Sequence, residues 1–166
     1  HSNLRRQRQM CIRDRAKTVV SILGVILAGG QARRMDGIDK CRLKIGDNTI
    51  LDIVVNCLSL QLETIVLNAN GDPERFSDLE IDVIPDTIQG YAGPLAGILS
   101  GMRFAEKNGF TSILTVASDT PFFPLNLLTK LLDEGSKENS LISIAATKQN
   151  NKFCLLYTSD AADEGS

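Results

Sequence analysis

Residues 21–40 read Ser21-Ile-Leu-Gly-Val-Ile-Leu-Ala-Gly-Gly-Gln-Ala-Arg-Arg-Met-Asp-Gly-Ile-Asp-Lys40. The first seven form a short, β-branched apolar run halted by glycines, which predicts a buried parallel strand delivering a loop to the carboxyl edge of a sheet. Gly29 and Gly30 let the backbone approach a ligand without an intervening Cβ, and their amides can point at phosphate oxygens. Arg33, Arg34 and Lys40, with Arg42 and Lys44 just beyond, gather positive charge in a chain whose formal net charge is −2. A cationic loop on an acidic protein points to a small polyanion rather than to a nucleic-acid face. Taken alone, the glycines also fit an ordinary strand-to-helix turn with solvated arginines.

Working outward, Arg42-Leu-Lys-Ile45 alternates polar and apolar residues and meets a turn at Gly46-Asp-Asn48, so a short strand or extended arm is expected. Thr49 is positioned to cap a helix whose buried face is Ile50, Leu51, Val54, Val55 and Leu58, ending near Leu60. Thr64-Ile-Val-Leu67 is a second strand running into Asn68-Ala-Asn70. Asn68 there is a candidate base or ribose contact, or simply a loop former. Ile81-Asp-Val-Ile84, closed by Pro85, is a third strand, followed by Asp86. Pro94 suits the first turn of a helix with Leu95, Ile98, Leu99 and Met102 on one face. Gly93, Gly97 and Gly101 give that helix a smooth surface for close packing or for a ligand. Ser112-Ile-Leu-Thr-Val-Ala117 is a fourth strand carrying Asp119, which either caps the Thr-Pro turn or binds a divalent cation between phosphates. A helix from Leu125 to about Leu132 and an apolar run at 141–146 follow.

Alternating strands and helices imply βαβ units in a three-layer α/β/α sandwich with a Rossmann-like, mainly parallel sheet. Neither G-x-G-x-x-G nor G-x-x-x-x-G-K-[ST] occurs, which argues against a dinucleotide redox enzyme and a P-loop ATPase. The 166 residues, 43% hydrophobic and 23% charged, suit one domain with a substantial core. No apolar run approaches the roughly 20 residues that cross a bilayer, so no membrane role is expected. Cys11, Cys41, Cys57 and Cys154 have neither C-x-x-C nor metal-site spacing, and the single histidine is His1. With no apolar signal segment at the start, a reducing cytoplasmic setting is the default expectation.

The ends read differently from the middle. Residues 1–17 carry Arg5, Arg6, Arg8, Arg13, Arg15 and Lys17, and Met10-Cys-Ile-Arg-Asp14 resembles translated sequencing-adaptor read-through. So does Leu155-Leu-Tyr-Thr-Ser-Asp-Ala-Ala-Asp-Glu164. The expected domain is therefore 18–153, with 1–17 and 154–166 disordered or artefactual tails that contribute nothing to function.

Three ordered segments resemble the molybdenum cofactor guanylyltransferases and, more broadly, the nucleotidyltransferase fold: Leu-Ala-Gly-Gly with Arg-Arg-Met and Gly37-Ile-Asp39-Lys40, then Gly93-Pro-Leu-Ala-Gly97, then Asp119-Thr-Pro121. Asp36 departs from the family pattern, which has glycine there. The resemblance spans roughly residues 22–153, and family members continue further into a part that helps bind the pterin. It implies transfer of GMP from GTP to the terminal phosphate of molybdopterin, as its molybdenum cofactor, with release of pyrophosphate. The implied nucleotide site comprises Leu27, Ala28, Gly29, Gly30, Arg34, Lys40, Asn68, Asp86, Gly93 and Asp119. Lys40 and Asp119 are its catalytic residues, Asp119 is its Mg²⁺ ligand, and molybdoenzyme-maturation proteins are further partners; no nucleic acid or membrane is implied. A sibling using CTP or a sugar phosphate, or a GTP-binding fragment without transfer activity, is the alternative. Context separates the two aspartates. Asp119 ends a strongly apolar strand expected beside the loop-bearing strand, whereas Asp86 ends a short one expected nearer the edge, beside Asn68, where a carboxylate suits guanine donors or a ribose hydroxyl.

Overall fold

The computed structural model describes residues 21–28, 39–88, 93–146 and 153–158, with residues 146 and 153–158 described by their backbone alone. The described elements are β1 (Ile22–Leu27), a 3-10 turn (Lys40–Arg42), β2 (Lys44–Ile45), β3 (Asn48–Thr49), α1 (Ile50–Ser59), β4 (Thr64–Asn68), a second 3-10 turn (Pro73–Phe76) and β5 (Asp82–Ile84). They continue with α2 (Pro94–Lys107), β6 (Ser112–Ala117), α3 (Leu127–Glu138), β7 (Ile142–Ala146) and β8 (Phe153–Thr158). β2 and β3 form a small hairpin, and the other strands make one six-stranded sheet in the order β5-β4-β1-β6-β8-β7. β5, β4, β1 and β6 run parallel, while β8 is antiparallel to both its neighbours.

The period-2 alternation of β1 decides the layering. Leu23 and Val25 face one side, where they meet Val66, Ile113 and the apolar face of α2. Ile26 faces the other, with Leu67, Leu114 and Val116 against Leu51, Val54 and Leu58 of α1 and Leu127 and Leu131 of α3. Helices thus cover both faces of a mainly parallel sheet, as the sequence implies. Gly24 lies under α1, where a Cβ would come within 3.0 Å of Leu58 and 3.2 Å of Ile65. α1 begins where expected: the Thr49 hydroxyl accepts from the Asp52 amide at 3.1 Å and Asp52 accepts from the Thr49 amide at 2.8 Å, a reciprocal capping box.

Two boundaries differ from the sequence expectation. α3 starts two residues later and runs to Glu138, because Asp133, Glu134, Lys137 and Glu138 are polar residues on solvent-facing turns that the apolar pattern does not mark. Its end is set by Asn139 in the left-handed region (φ 46°). β8 runs across the expected limit at residue 153, and its residues pair with β6 (Ser112 opposite Thr158) and β7 (Ile142 opposite Tyr157). Cys154-Leu-Leu-Tyr-Thr158 is an apolar, β-favouring run, and in this position it satisfies the backbone groups of two flanking strands. Residues 1–17 and 159–166 lie outside the described residues. Among the described residues no helix is long and apolar enough to cross a membrane.

The cap and the core of α1 give a ranked expectation. Thr49→Ala should lower stability by about 0.5–2 kcal/mol, and Leu58→Ala, at a fully buried position, by about 2–5 kcal/mol. Urea midpoints at constant m-value check both, and a loss at Thr49 equal to that at Leu58 would show that α1 is held by its cap rather than by its packing.

Candidate functional site

The parallel register brings three strand ends level. Leu27 lies opposite Asn68 on one side and Ala117 on the other. Beyond the strands, the Ala28 amide donates to the Asn68 carbonyl at 2.8 Å and the Ser118 amide to the Leu27 carbonyl at 3.1 Å. A cavity of about 550 Å³ opens at this carboxyl edge, the position at which open α/β sheets bind ligands. Leu27, Ala28, Lys40, Asn68, Gly93 and Asp119 all line it. Of the sequence-derived site residues, Gly29, Gly30 and Arg34 lie outside the described residues.

Asp86 is the one described candidate that is not part of the wall. Its carboxylate accepts from the Asn68 side chain at 3.0 Å and from the Asn70 side chain at 2.6 Å. Asn70 closes the ring by accepting from the Asp86 amide at 2.9 Å. Asn68 itself is buried and also donates to the Ile84 carbonyl at 3.2 Å. The two aspartates therefore occupy the sites that context gives them: β5, carrying Asp86, is the sheet edge beside Asn68, and β6, carrying Asp119, is the direct neighbour of β1. Thr120 donates its hydroxyl to Asp119 at 3.3 Å.

Gly93 and Pro94 bring the start of α2 to the cavity, and among the described residues no side chain caps that terminus. The positive end of the helix dipole favours an anion there. The choice left open for the glycine face is settled at two positions in favour of packing. A Cβ on Gly97 would lie 2.1 Å from the Asn68 side-chain oxygen, and one on Gly101 would lie 2.8 Å from Val25.

Sequence reasoning missed Asp39, Cys41, Arg75 and Phe76, which also line the cavity. Arg75 pairs with Asp39 at 3.0 Å. Arg42 forks onto Asp78 at 2.5 and 2.6 Å and reaches the Arg75 carbonyl at 2.5 Å. Both guanidiniums lie over the Phe76 ring, with carbons 4.9 and 5.1 Å from its centroid, a favourable cation–π geometry. The Arg42 hydrogen bonds hold the Asp78 carboxyl below the usual carboxylate range and raise the guanidinium. Burial, reinforced by nearby Asp39, pushes the Cys41 thiol up. The available sequence signal was the Asp39 and Arg42 charges at the end of the glycine loop, but nothing local says that their partners come 36 residues later.

Fold and cavity together define a ligand-type site at the switch edge of a parallel α/β sheet. The model of the MobA-like NTP transferase domain matches residues 24–165, and the chain belongs to that family. It is 43% identical over 127 residues to the molybdenum cofactor guanylyltransferase of Mesorhizobium japonicum, covering 76% of this chain and 61% of that protein. The corresponding enzyme of a Bradyrhizobium species is 40% identical over 134 residues, with 80% and 63% covered. The chain thus spans about three-fifths of the length of these curated relatives. Among solved structures, molybdopterin-guanine dinucleotide biosynthesis protein A from Archaeoglobus fulgidus superposes with a TM-score of 0.61 at 24% identity, covering 82% of this chain and 67% of that one. A manganese complex of Rv0371C from Mycobacterium tuberculosis gives 0.60 at 20% identity, with 85% and 72% covered.

Two measurements probe this geometry. Gly97→Ala gains at most about 1 kcal/mol of helix propensity but must displace Asn68, so a net loss of about 1–3 kcal/mol is expected in urea unfolding. In alkylation followed by peptide mapping at pH 8, buried Cys41 should react more slowly than half-buried Cys57. Because its pKa is raised, less of it is thiolate at a given pH, and its rate should keep climbing above the ordinary thiol range.

Proposed function

We propose that this chain carries the nucleotide half of a molybdenum cofactor guanylyltransferase, which transfers GMP from GTP to the terminal phosphate of molybdopterin, as its molybdenum cofactor, and releases pyrophosphate. The observation that carries the reading is the convergence of Lys40, Asp119 and the uncapped start of α2 on one strand-edge cavity flanked by Asn68. The names of its relatives support the same substrates. The triphosphate would lie along Lys40 and the α2 terminus, joined by the Gly29–Gly30 amides and Arg34 of the signature loop. The base would lie toward Asn68 and the Asp86 carboxylate that Asn68 holds.

The donor set fits a magnesium ion shared with phosphates. Asp119 offers a hard carboxylate oxygen at the cavity wall, and phosphate oxygens and water would complete the shell of such an ion. Asp119 would hold it, and when bound it neutralises charge developing on the phosphates. The manganese complex of the mycobacterial structure supports a divalent ion in this fold. Lys40 supplies a compact charge to the leaving pyrophosphate, and the acceptor phosphate attacks in line, so no protein nucleophile is needed. The alternatives are a CTP- or sugar-phosphate-using sibling, and a GTP-binding unit whose acceptor half lies elsewhere.

Calorimetric titration with GTP, CTP and ATP in the presence of Mg²⁺ tests the reading, with GTP expected to bind tightest. Lys40→Ala should weaken GTP about tenfold or more while leaving guanosine nearly unchanged, since only the phosphates meet the ammonium. Asp119→Asn should abolish the Mg²⁺ dependence and keep the preference for guanine; Asp86→Asn should do the opposite. A reversed pattern overturns the metal assignment.

A further inference from the structure

We infer that Arg75 is a positioning residue that ties the phosphate side of the nucleotide site to its base side, so that both are set by one guanidinium. The inference rests on the nucleotide site proposed above.

Each of the three guanidinium nitrogens of Arg75 donates to a different acceptor, one of them on the cavity wall. Nη1 donates to the Asp39 carboxylate at 3.0 Å, Nη2 to the Asn70 carbonyl at 2.8 Å and Nε to the Asp72 carbonyl at 3.1 Å. Asp39 directly precedes Lys40 and occupies the N-cap position of the 3-10 turn, yet its carboxylate makes no capping bond. That carboxylate is used across space on Arg75 instead. At the other end, the Asn70 side chain clasps Asp86, its NH2 donating to the carboxylate and its oxygen accepting from the backbone amide, and Asp86 in turn holds Asn68. An unbroken polar chain thus runs from the residue before Lys40, through Arg75 and Asn70, to Asp86 and Asn68.

The Arg75 backbone is fixed as well. Its carbonyl accepts from Arg42, and its guanidinium lies over the buried Phe76 ring. A planar fork held in this way transmits position because it can satisfy three acceptors at once in a fixed geometry, whereas an ammonium on a flexible stem does not reproduce that arrangement. Each of its three guanidinium nitrogens is engaged by a protein acceptor, so Arg75 acts through Lys40 and Asp86.

The test uses the full chain and two affinity ratios: GTP over guanosine, which reads the phosphate side, and GTP over ATP, which reads the base side. Arg75→Ala should lower both ratios about tenfold, unlike Lys40→Ala, which lowers the first, or Asp86→Asn, which lowers the second. Arg75→Lys should keep the Asp39 pair and with it the first ratio, while losing the second. A purely structural role would lower the melting temperature of the unliganded protein and leave both ratios in place. Both ratios within twofold of wild type in Arg75→Ala, or in Arg75→Lys if the alanine variant does not fold, would overturn the inference alone. A wild-type chain that does not bind GTP would overturn the proposed function and the inference with it.

Discussion

Strand β1 is hydrogen-bonded along both edges, to β4 and to β6, and its register with each places Leu27 level with Asn68 and with Ala117. The strand-end part of the site follows from that double pairing. A one-residue slip on either side would turn Asn68 or the Ser118–Asp119 turn to the wrong level and reverse which side chains enter the core. Register is defended by burial on both faces: Leu23, Val25 and Ile26 of β1 are fully buried, as are Val66, Leu67, Leu114 and Val116 of its neighbours. Burying such side chains stabilises by roughly 1.5–3 kcal/mol each, and the sheet that aligns the polar strand ends carries eight of the eleven largest fully buried side chains among the described residues.

Onto this rigid frame the structure adds a second, softer layer of order. The two 3-10 turns at 40–42 and 73–76 belong to no sheet, and they are joined by Arg42, Phe76 and Arg75 through charge and ring contacts at a partly exposed surface. Individual surface ion pairs contribute little, typically under about 1 kcal/mol. Here the Arg42 fork, two ring contacts and the Arg75 donors act on the same few residues, so they specify geometry more than they add stability. The site is therefore built from a hydrophobic part that determines which residues meet and a polar part that determines how they are aimed.

That division explains what could be read from the chain. The parallel strands, the Thr49 cap, the order of the Asp86 and Asp119 strands and the turn bearing Asp119 all follow from local periodicity and turn chemistry. Asp39 and Arg75 were illegible because their meaning is a contact across 36 residues, which no local pattern encodes. Asn70 was visible only as half of an Asn-x-Asn loop, since its grip on Asp86 depends on β4 and β5 being neighbours. β8 was set aside because its sequence looks foreign to the rest of the chain, and yet its apolar residues meet the requirement for a strand between β6 and β7. The last turns of α3 carry polar residues, where the apolar pattern that marks its buried side gives no signal.

The contact between Gly97 and Asn68 also bears on how such a site can change over generations. The asparagine oxygen occupies the volume in which residue 97 would place its first side-chain atom. Any side chain at 97 therefore requires the strand residue to shrink or turn away, and a bulkier residue at 68 finds no room while α2 keeps its place. The two positions form a single heritable unit although they lie on different elements. A change at either position is then tolerated only together with a change at the other.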